Sequence, residues 1–311
     1  MFALIGIVLL LGYIFARLTC GRAKSSTCLA GKTAIVTGGN SGIGYEVCLN
    51  LASRGCRVII ADKDDSTRTR EEIIEFTKNP NIVSKHLDLS KFKSIREFAA
   101  DINQNEERLD ILVNNAGIGD STSLSTEDGF SPTMQVNYLG PFLLTHLLLG
   151  IKGESSALAF YGRLTPTTIG NIEKSSGSLA TTARVYSNSK LATIMASDTF
   201  AEKLKGTGVT SNSLHPGIVR TKIFKTVKNL RPPLSLPLAL WMYIYGKNSR
   251  EGAQTTVHLA VSRKVENVSG KYFFDCAPFI KPAQANNAEL CKKIWEISEE
   301  YVKLSPEEKI N

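Results

Sequence analysis

Apolar and polar positions divide the chain into one long apolar run followed by short alternating segments. Residues 1–16 carry no charged side chain, and Arg17, Arg22 and Lys24 follow them. Beyond residue 30, short β-rich apolar runs alternate with stretches of helical period, which predicts an α/β fold with parallel strands and right-handed crossovers. The predicted strands are residues 32–37, 57–61, 82–87, 109–113 and 209–214.

The N-terminal apolar run is typical of a retained membrane anchor. Its sixteen to nineteen residues are slightly short for a typical bilayer but long enough for the thinner membrane of the endoplasmic reticulum. Because the basic residues follow the run, they place the rest of the chain in the cytoplasm. A cleaved signal peptide, giving a secreted or lumenal protein, is the alternative, although no basic residue precedes the run. A glycan on the sequon Asn267-Val268-Ser269 would require a lumenal domain.

Composition excludes several functions without choosing one. The 311 residues are 42% hydrophobic and 21% charged, which is ordinary for a globular domain. The net charge of +8 suits a basic surface that tolerates anionic cofactors and lipid headgroups, and no basic–aromatic run favours nucleic-acid binding. Six cysteines without a CxxC pair favour reduced thiols packed as small hydrophobic groups, and four scattered histidines favour no metal site.

The first predicted strand ends in a glycine-rich turn, and a helical pattern follows to about Ser53. This is the context in which a dinucleotide phosphate binds, because glycines permit close approach and a helix N-terminus offers free N–H groups. The spacing is T-G-x-x-x-G-I-G rather than G-x-G-x-x-G. The residues expected to contact the pyrophosphate are Gly38, Ser41, Gly42, Ile43 and Gly44.

Polar and small residues follow three further strands, at the edge where parallel sheets bind ligands. Asp62 would accept hydrogen bonds from a ribose 2′-hydroxyl and repel a 2′-phosphate, whereas Lys63 would attract that phosphate. The sequence therefore leaves NAD and NADP open, with a slight preference for NAD. The other residues expected here are Asp88 and Leu89 after the third strand, and Asn115, Ala116 and Gly117 after the fourth.

Tyr186 and Lys190 are spaced to share one face at the start of a helix predicted over residues 191–204. A phenol titrates near pH 10, and a nearby cation lowers that pKa, which suits a group that moves a proton on or off an alcohol oxygen. One such pair is weak evidence, because chance alone predicts roughly 0.7 pairs. Tyr243 and Lys247 form a second pair of the same spacing, beyond the strand predicted at residues 209–214 and on the wrong side for catalysis.

Five motifs, taken in order, resemble the short-chain dehydrogenase/reductase superfamily. They are TGGNSGIG at 37–44, NNAG at 114–117, the asparagine at 137 in VNYLGPF, YSNSK at 186–190 and HPGIVRT at 215–221. Two further segments, REGAQTTVHLA at 250–260 and SGKYFFDC at 269–276, resemble its microsomal retinol dehydrogenase branch. The resemblance covers residues 30–303. It implies a Rossmann-type doubly wound parallel sheet of about seven strands and an NAD(H) or NADP(H) cofactor.

The resemblance also implies roles for individual residues. Tyr186 would be the general acid/base, and Lys190 would lower its pKa and hold the nicotinamide ribose hydroxyls. Asn137 would order a helix and a proton-relay water. The residues implied to border the nicotinamide are Pro216, Gly217, Val219 and Thr221.

The serine that completes such a site departs from the family pattern. Relatives carry an apolar fifth strand that leads into a serine pair, whereas residues 152–154 are Lys-Gly-Glu, which suits a buried strand poorly. Asn137 and Ser156 are 19 positions apart, about nine fewer than expected. Ser156 is the best match and Ser155 the next, with an ordinary loop serine as the alternative. The fifth strand is left open: either the sheet has a gap, or residues 157–161 fill it.

Two later segments bear on the substrate. Residues 162–183 are predicted to be a polar loop, and residues 228–247 an apolar lid. An apolar lid on an anchored enzyme suits a lipid that enters from the bilayer, and ordinary core packing is the alternative. The predicted divisions are an anchor at 1–19, a linker at 20–30, one dehydrogenase domain at 31–303 and a tail at 304–311.

These features predict an NAD(P)-dependent oxidoreductase of the endoplasmic reticulum membrane that interconverts an apolar alcohol, a retinoid or similar lipid, and its carbonyl. The altered fifth-strand region supports two alternatives. One is a catalytically impaired relative that binds cofactor or lipid at the membrane surface. The other is an error in the coding sequence over residues 147–160. The sequence leaves the substrate, the reaction direction and a homodimer open.

Overall fold

A five-stranded parallel β-sheet forms the centre of the chain. The computed structural model describes residues 2–119, 125–149, 154–157, 179–220, 241 and 244–310. The strands are β1 (Thr33–Thr37), β2 (Arg57–Asp62), β3 (Ile82–His86), β4 (Ile111–Asn114) and β5 (Glu154–Ala157). Their order is β3-β2-β1-β4-β5, so the winding reverses between β1 and β4. Such a reversal opens a crevice at the carboxyl ends of the strands, where ligands bind.

Helices cover the sheet, and a second, smaller sheet follows it. The helices are α1 (Phe2–Leu18), α2 (Gly42–Ala52), α3 (Thr67–Thr77), α4 (Phe92–Asn105), α5 (Pro132–Met134), α6 (Gly140–Leu148), α7 (Leu179–Lys203), α8 (Ser249–Gly252), α9 (Gln254–Val261) and α10 (Ala288–Tyr301). A π-helical segment, Gln135–Leu139, joins α5 to α6. In the second sheet, β6 (Ser213–His215) lies parallel to β7 (Tyr272–Phe274), which pairs antiparallel with β8 (Ala277–Pro278).

Alternate side chains of the central strands enter two hydrophobic layers. Ile35 of β1 packs in the layer that contains α4, α6, α7 and α10. Its neighbours Ala34 and Val36 pack in the opposite layer, which contains α2 and α9. Because both faces are covered, every residue of β1 is buried, and a continuous run of apolar and small residues suits the strand. All six cysteines are free thiols, and Cys48 and Cys56 lie in the second layer.

The Rossmann-like α/β prediction is confirmed, but the strands are divided differently. The sequence predicted one sheet of about seven strands. The part of the chain that the structure describes has a five-stranded sheet and a separate three-stranded sheet instead. The fifth strand, left open by the sequence, is present: Glu154–Ala157 pairs with Ile111–Asn114. Glu154, which the sequence indicated would suit a buried strand poorly, is the first residue of this four-residue strand. Residues 158–161, the alternative filler, lie outside the described residues.

Helix α7 begins earlier than the sequence predicted. It extends over Leu179–Lys203 rather than from residue 191, so residues 179–183 are helical and not part of a loop. The segment LATTARV contains neither glycine nor proline, so it can continue a helix that packing stabilises. As a result, Tyr186 and Lys190 both lie within the body of one helix.

The N-terminal segment contacts the domain through Arg17 and the linker that follows α1. Arg17 forms an ion pair with Glu251 and donates hydrogen bonds to the carbonyl oxygens of Tyr245, at 3.1 Å, and Gly246, at 3.0 Å. Large apolar side chains of α1 are exposed: Leu10, Leu11, Tyr13, Ile14, Phe15 and Leu18. Across the described residues, no helix combines the length and the apolar character needed to cross a membrane. Of the predicted lid, residues 228–240, 242 and 243 lie outside the described part.

Candidate cofactor and catalytic site

A cavity of about 820 Å³ lies at the carboxyl ends of the central strands. Its volume falls within the ordinary range for small-molecule sites, about 300–1,000 Å³. Eleven residues that the sequence assigned to the cofactor line it: Gly38, Ser41, Gly42, Ile43, Asp62, Lys63, Asp88, Leu89, Asn115, Ala116 and Gly117. Local motifs read from the sequence therefore meet at one cavity, although they come from four separate strand ends.

The turn between β1 and α2 closes one side of this cavity and requires glycine. Gly38 and Gly42 have φ angles of +66° and +60°, a left-handed conformation that residues with a Cβ rarely adopt. A Cβ on Gly44 would overlap the carbonyl oxygen of Gly38 and lie 2.6 Å from the Asn115 side-chain amide. Ser41 caps α2 without a side-chain bond to it. The first N–H groups of α2 have no partner within the helix, so the turn fits the pyrophosphate of a dinucleotide.

Gly44→Ala is therefore expected to weaken dinucleotide binding about 10- to 100-fold, the cost of forcing a methyl group into a packed site. Fluorescence titration with NADH and NADPH measures the loss. Gly206→Ala is the control, because Gly206 has a φ of +87° and open space around its Cβ position, so it strains the chain outside the cavity. Equal weakening in both variants would show that the effect is general instability.

Hydrogen bonds of Thr37 and Asn115 connect the end of β1 to the end of β4. The Thr37 hydroxyl oxygen accepts hydrogen bonds from the N–H groups of Asn115 and Ala116, both at 3.0 Å. The Asn115 amide donates to the carbonyl oxygens of Thr37, at 2.9 Å, and Gly38, at 3.2 Å. Asn115 lines the cavity as predicted, but its amide donors are engaged by the protein. Its side chain holds the glycine turn in place.

Two aspartates of the cavity are oriented by hydrogen bonds from neighbouring residues. The Asp62 carboxylate accepts the N–H groups of Asn40 and Asp64, each at 3.2 Å. The Asp88 carboxylate accepts the N–H and the hydroxyl of Ser90, at 2.9 and 2.6 Å. A carboxylate has about four acceptor positions, so each group can accept further hydrogen bonds from a ligand.

Asp62→Ala is expected to shift cofactor preference from NAD toward NADP by about tenfold or more. The change removes a charged acceptor for the 2′-hydroxyl, a bond of about 1.5–3 kcal/mol, and the repulsion of a 2′-phosphate. The ratio of kcat/KM for the two cofactors measures the shift. Asp64→Ala, which removes an exposed neighbouring charge, is expected to leave that ratio unchanged. A ratio that does not respond to Asp62→Ala would contradict the ribose assignment.

Helix α7 brings Tyr186 and Lys190 toward the loop after β4. The Lys190 ammonium lies 5.6 Å from the centre of the Tyr186 ring. It also lies 3.1 Å from the position that a Cβ would take on Gly117, and Asn137 Oδ1 lies 3.3 Å from the same point. Lys190 is buried and Tyr186 partly buried. Lys190 therefore lies beside Gly117, a residue of the cavity, and Tyr186 lies next to Lys190.

Asn137 connects this loop to α7. Its Oδ1 accepts the Ile118 N–H at 2.8 Å, and its amide donates to the Ile118 carbonyl at 3.0 Å and the Ser189 hydroxyl at 3.1 Å. Ser189 in turn donates to the Tyr186 carbonyl at 2.7 Å. Asn137 lies in the π-helical segment, a distortion that is frequent at functional sites. One buried amide thus fixes the strand end and the tyrosine helix together.

The electrostatic prediction for the Tyr–Lys pair has the wrong direction. Burial raises the pKa of Tyr186 to about 12 and lowers the pKa of Lys190 to about 8. The sequence predicted that the ammonium would lower the pKa of the phenol. Removal from water disfavours the charged form of each group, and this effect exceeds their mutual influence.

Fewer contacts define the positions of the remaining predicted site residues. Ser156 pairs with Val113, in register with the end of β4. Gly217 has a φ of +87° and donates its N–H to His215 Nδ1 at 3.3 Å. Val219 is buried, and a Cβ on Gly252 of α8 would lie 2.7 Å from Val219 and 3.3 Å from Ile43 of the glycine turn. Thr221 and Tyr243 lie outside the described residues, and for Ser155 and Ser156 the structure describes the backbone only.

The sequence missed several residues around the site. Those that line the cavity include Ser90, Lys91, Glu127, Arg220 and Ser249. Three of them could have been found from their neighbours in the sequence. Ser90 and Lys91 directly follow the predicted residues Asp88 and Leu89, and Arg220 lies inside the motif HPGIVRT. Lys247, from the second Tyr–Lys spacing, is buried and forms an ion pair with Asp275 beside Gly217. No local pattern in the sequence indicates that pair.

A dinucleotide cradle at the reversal point of a doubly wound sheet, with a phenol and an ammonium beside it, defines a nicotinamide-dependent oxidoreductase. A family model described as short chain dehydrogenase matches residues 32–231. Human retinol dehydrogenase 12 is 38% identical over 291 residues, covering 89% of this chain and 88% of that protein. Mouse retinol dehydrogenase 13 is 36% identical over 308 residues, covering 96% and 91%.

Solved structures agree on the fold. An uncharacterized protein from Mycobacterium paratuberculosis is 25% identical with a TM-score of 0.70, covering 92% of this chain and 98% of that one. The Pseudomonas aeruginosa RhlG/NADP complex is 23% identical with a TM-score of 0.62, covering 79% and 95%. The chain belongs to the short-chain dehydrogenase family and is an NAD(P)-dependent oxidoreductase that binds NAD(H) or NADP(H).

Proposed function

We propose that this oxidoreductase interconverts an apolar alcohol of the retinoid class and its aldehyde or ketone. The observation that carries the proposal is the position of Lys190 and Asn137 beside Gly117, at the wall of the cavity, with Tyr186 on the same helix as Lys190. The substrate class is supported by the similarity to retinol dehydrogenases and by the apolar composition of residues 228–247.

The proposed chemistry divides between the cofactor and the chain. The bound nicotinamide supplies the hydride acceptor for oxidation and the hydride donor for reduction. Tyr186 takes the proton from the alcohol oxygen, or returns it to the carbonyl oxygen. Lys190 holds the ribose hydroxyls, and Asn137 keeps α7 and the Ile118 loop in register. Ser156 is proposed as the serine of this site, on the short strand β5.

The surrounding residues are proposed to hold the cofactor. Gly38, Ser41, Gly42, Ile43 and Gly44 would receive the pyrophosphate at the N-terminus of α2. The adenosine would lie against Asp62, Lys63, Asp88 and Leu89, beside Asn115, Ala116 and Gly117. The residues proposed to border the nicotinamide are Pro216, Gly217, Val219 and Thr221.

We also propose that α1 anchors the protein in the endoplasmic reticulum membrane with the dehydrogenase domain in the cytoplasm. Its 17 residues extend about 25 Å at 1.5 Å per residue, close to the ~27 Å hydrocarbon core of that membrane. Arg17, Arg22 and Lys24 follow on the proposed cytoplasmic side. The proposed division keeps residues 1–19 as anchor, 20–30 as linker, 31–303 as domain and 304–311 as tail. A glycan at Asn267 would contradict this topology.

Turnover by the full chain in detergent tests the function. Retinol with NAD and NADP, and retinaldehyde with NADH and NADPH, are compared with a short polar alcohol and its aldehyde. Retinoid turnover with little activity on the polar pair is the expected result. Cofactor binding without turnover of any substrate would favour the second candidate, an impaired relative that binds cofactor or lipid. The shortened spacing between Asn137 and Ser156 is the observation in favour of that candidate.

A further inference from the structure

We propose that a basic cavity beside the linker binds the anionic phospholipid headgroups of the bilayer that holds α1. The basic cavity is defined by Arg22, Lys24, Arg263 and Lys264. The proposal depends on the proposed membrane anchor and not on the catalytic assignment. Its tests measure lipid binding rather than turnover, so the two can fail separately.

The basic cavity has a volume of about 960 Å³ and lies between two separate segments. One wall is the linker after α1, and the other is the end of α9 with the 3₁₀ turn Arg263–Val265. The linker is held there by two hydrogen bonds: the Ala23 N–H donates to Gln254 Oε1 at 3.1 Å, and the Ser25 hydroxyl donates to the Val261 carbonyl at 3.0 Å. The cations of both walls are therefore held at one site by the fold.

The charge of the basic cavity is not balanced locally. Arg22, Lys24, Arg263 and Lys264 are all exposed. Among the described residues that line the cavity, none is Asp or Glu. Two acids are close in sequence to lining residues: Glu266 lines an adjoining cavity, and Asp275, next to Cys276, forms an ion pair with Lys247. Converging cations without a carboxylate favour a ligand that carries negative charge, such as a phosphodiester or a carboxylate headgroup.

The position of the basic cavity identifies the source of that charge as a membrane. Leu18, at the end of α1, is 80% exposed, and Arg22 follows four residues later. Four residues extend at most about 14 Å, which is less than two screening lengths of ~8–10 Å at physiological salt. The linker therefore holds the cavity near the headgroups of any bilayer that α1 enters. The described residues that line the cavity include no exposed Phe, Tyr or Trp, which single-stranded nucleic acid would need for base stacking.

Vesicle flotation with the full chain tests the proposal. Binding to phosphatidylcholine vesicles is compared with binding to vesicles that contain about 20 mol% phosphatidylserine, each cation near such a surface contributing about fivefold in affinity. The variant Arg263→Gln/Lys264→Gln is expected to lose about 10- to 25-fold of the added affinity and to bind neutral vesicles as the wild type does. The control Lys292→Gln/Lys293→Gln removes the same charge from exposed positions on α10 and is expected to keep that affinity.

A second measurement locates the contact. Cys28 is an exposed free thiol that lines the basic cavity. In the full chain reconstituted in nanodiscs, the rate of Cys28 alkylation, followed by peptide mass spectrometry, is expected to fall several-fold when phosphatidylserine replaces part of the phosphatidylcholine. The fall is expected to be absent in the Arg263→Gln/Lys264→Gln variant.

Three results would overturn the proposal. Wild-type protein that binds both kinds of vesicle equally has no anionic-lipid site. Equal losses in the cavity variant and the α10 control reduce the effect to net charge. Protection of Cys28 by inorganic phosphate alone, as strong as that by phosphatidylserine nanodiscs, assigns the cavity to a soluble anion instead of a lipid.

Discussion

Replacing Tyr186 with phenylalanine is expected to lower kcat about 10²- to 10⁴-fold, the usual contribution of a positioned general acid or base. The ring is retained, so packing on α7 and cofactor affinity are expected to stay within a few-fold of the wild type. Single-turnover kinetics with retinol and retinaldehyde, together with NADH titration, separate the two effects. Tyr301→Phe, on α10, is the matched control.

The pH profile gives the same prediction a second readout. Burial places the pKa of Tyr186 at about 12, so the phenol is mostly protonated at neutral pH. Rising pH increases the phenolate form, which accepts the alcohol proton, so oxidation is expected to accelerate as the pH rises from 7 to about 10. Reduction, which needs the protonated phenol, is not expected to accelerate in this range. A Tyr186→Phe variant with wild-type turnover and the same pH profile would remove Tyr186 from the mechanism.

Lys190→Met is expected to lower kcat by about 10²-fold or more while stabilising the fold. Burial lowers the pKa of Lys190 to about 8, against about 10.4 in an unfolded chain. Between these values the unfolded state binds more protons, so stability rises with pH; below pH 8 the full cost of burying the ammonium is present. Removing that cost is expected to raise the free energy of unfolding at pH 7 by about 1–3 kcal/mol.

Chemical denaturation at pH 7 and pH 10 checks this result. The gain in stability is expected to shrink at the higher pH, because wild-type Lys190 is then neutral and the cost is already lost. Lys205→Met, at an exposed position just after α7, is the control and is expected to change stability little at either pH. A Lys190→Met variant that is less stable than the wild type at pH 7 would show that the ammonium supports the fold.

The cofactor half of the site could be predicted because its determinants are local. The glycine turn, Asp62 and the NNAG segment each follow a strand directly, and parallel pairing brings all such ends to one edge. Contacts between distant residues gave no such signal. Arg17 and Glu251 are 234 positions apart, and Lys247 and Asp275 are 28 apart. Each pair is an ordinary combination of charges in the sequence, and only the fold brings its members together.

Two features of the site depended on surroundings that a local pattern does not show. The sequence left the fifth strand open, and the structure has a short β5 that begins at Glu154. The pKa of Tyr186 was predicted from the charge of Lys190 alone, whereas burial acts on both groups and dominates. Spacing in a sequence indicates which groups can meet, but the amount of water left around them depends on the whole fold.

Helix α8 connects the N-terminal segment to the wall of the cofactor cavity. Glu251, the partner of Arg17, also accepts the Asn248 N–H at 2.9 Å and so closes the first turn of α8. The next residue is Gly252, where an added Cβ would meet the side chains of Val219 and Ile43. Removing residues 1–18 therefore takes away the Arg17 contact that supports α8 beside the cofactor cavity, as well as the proposed membrane anchor.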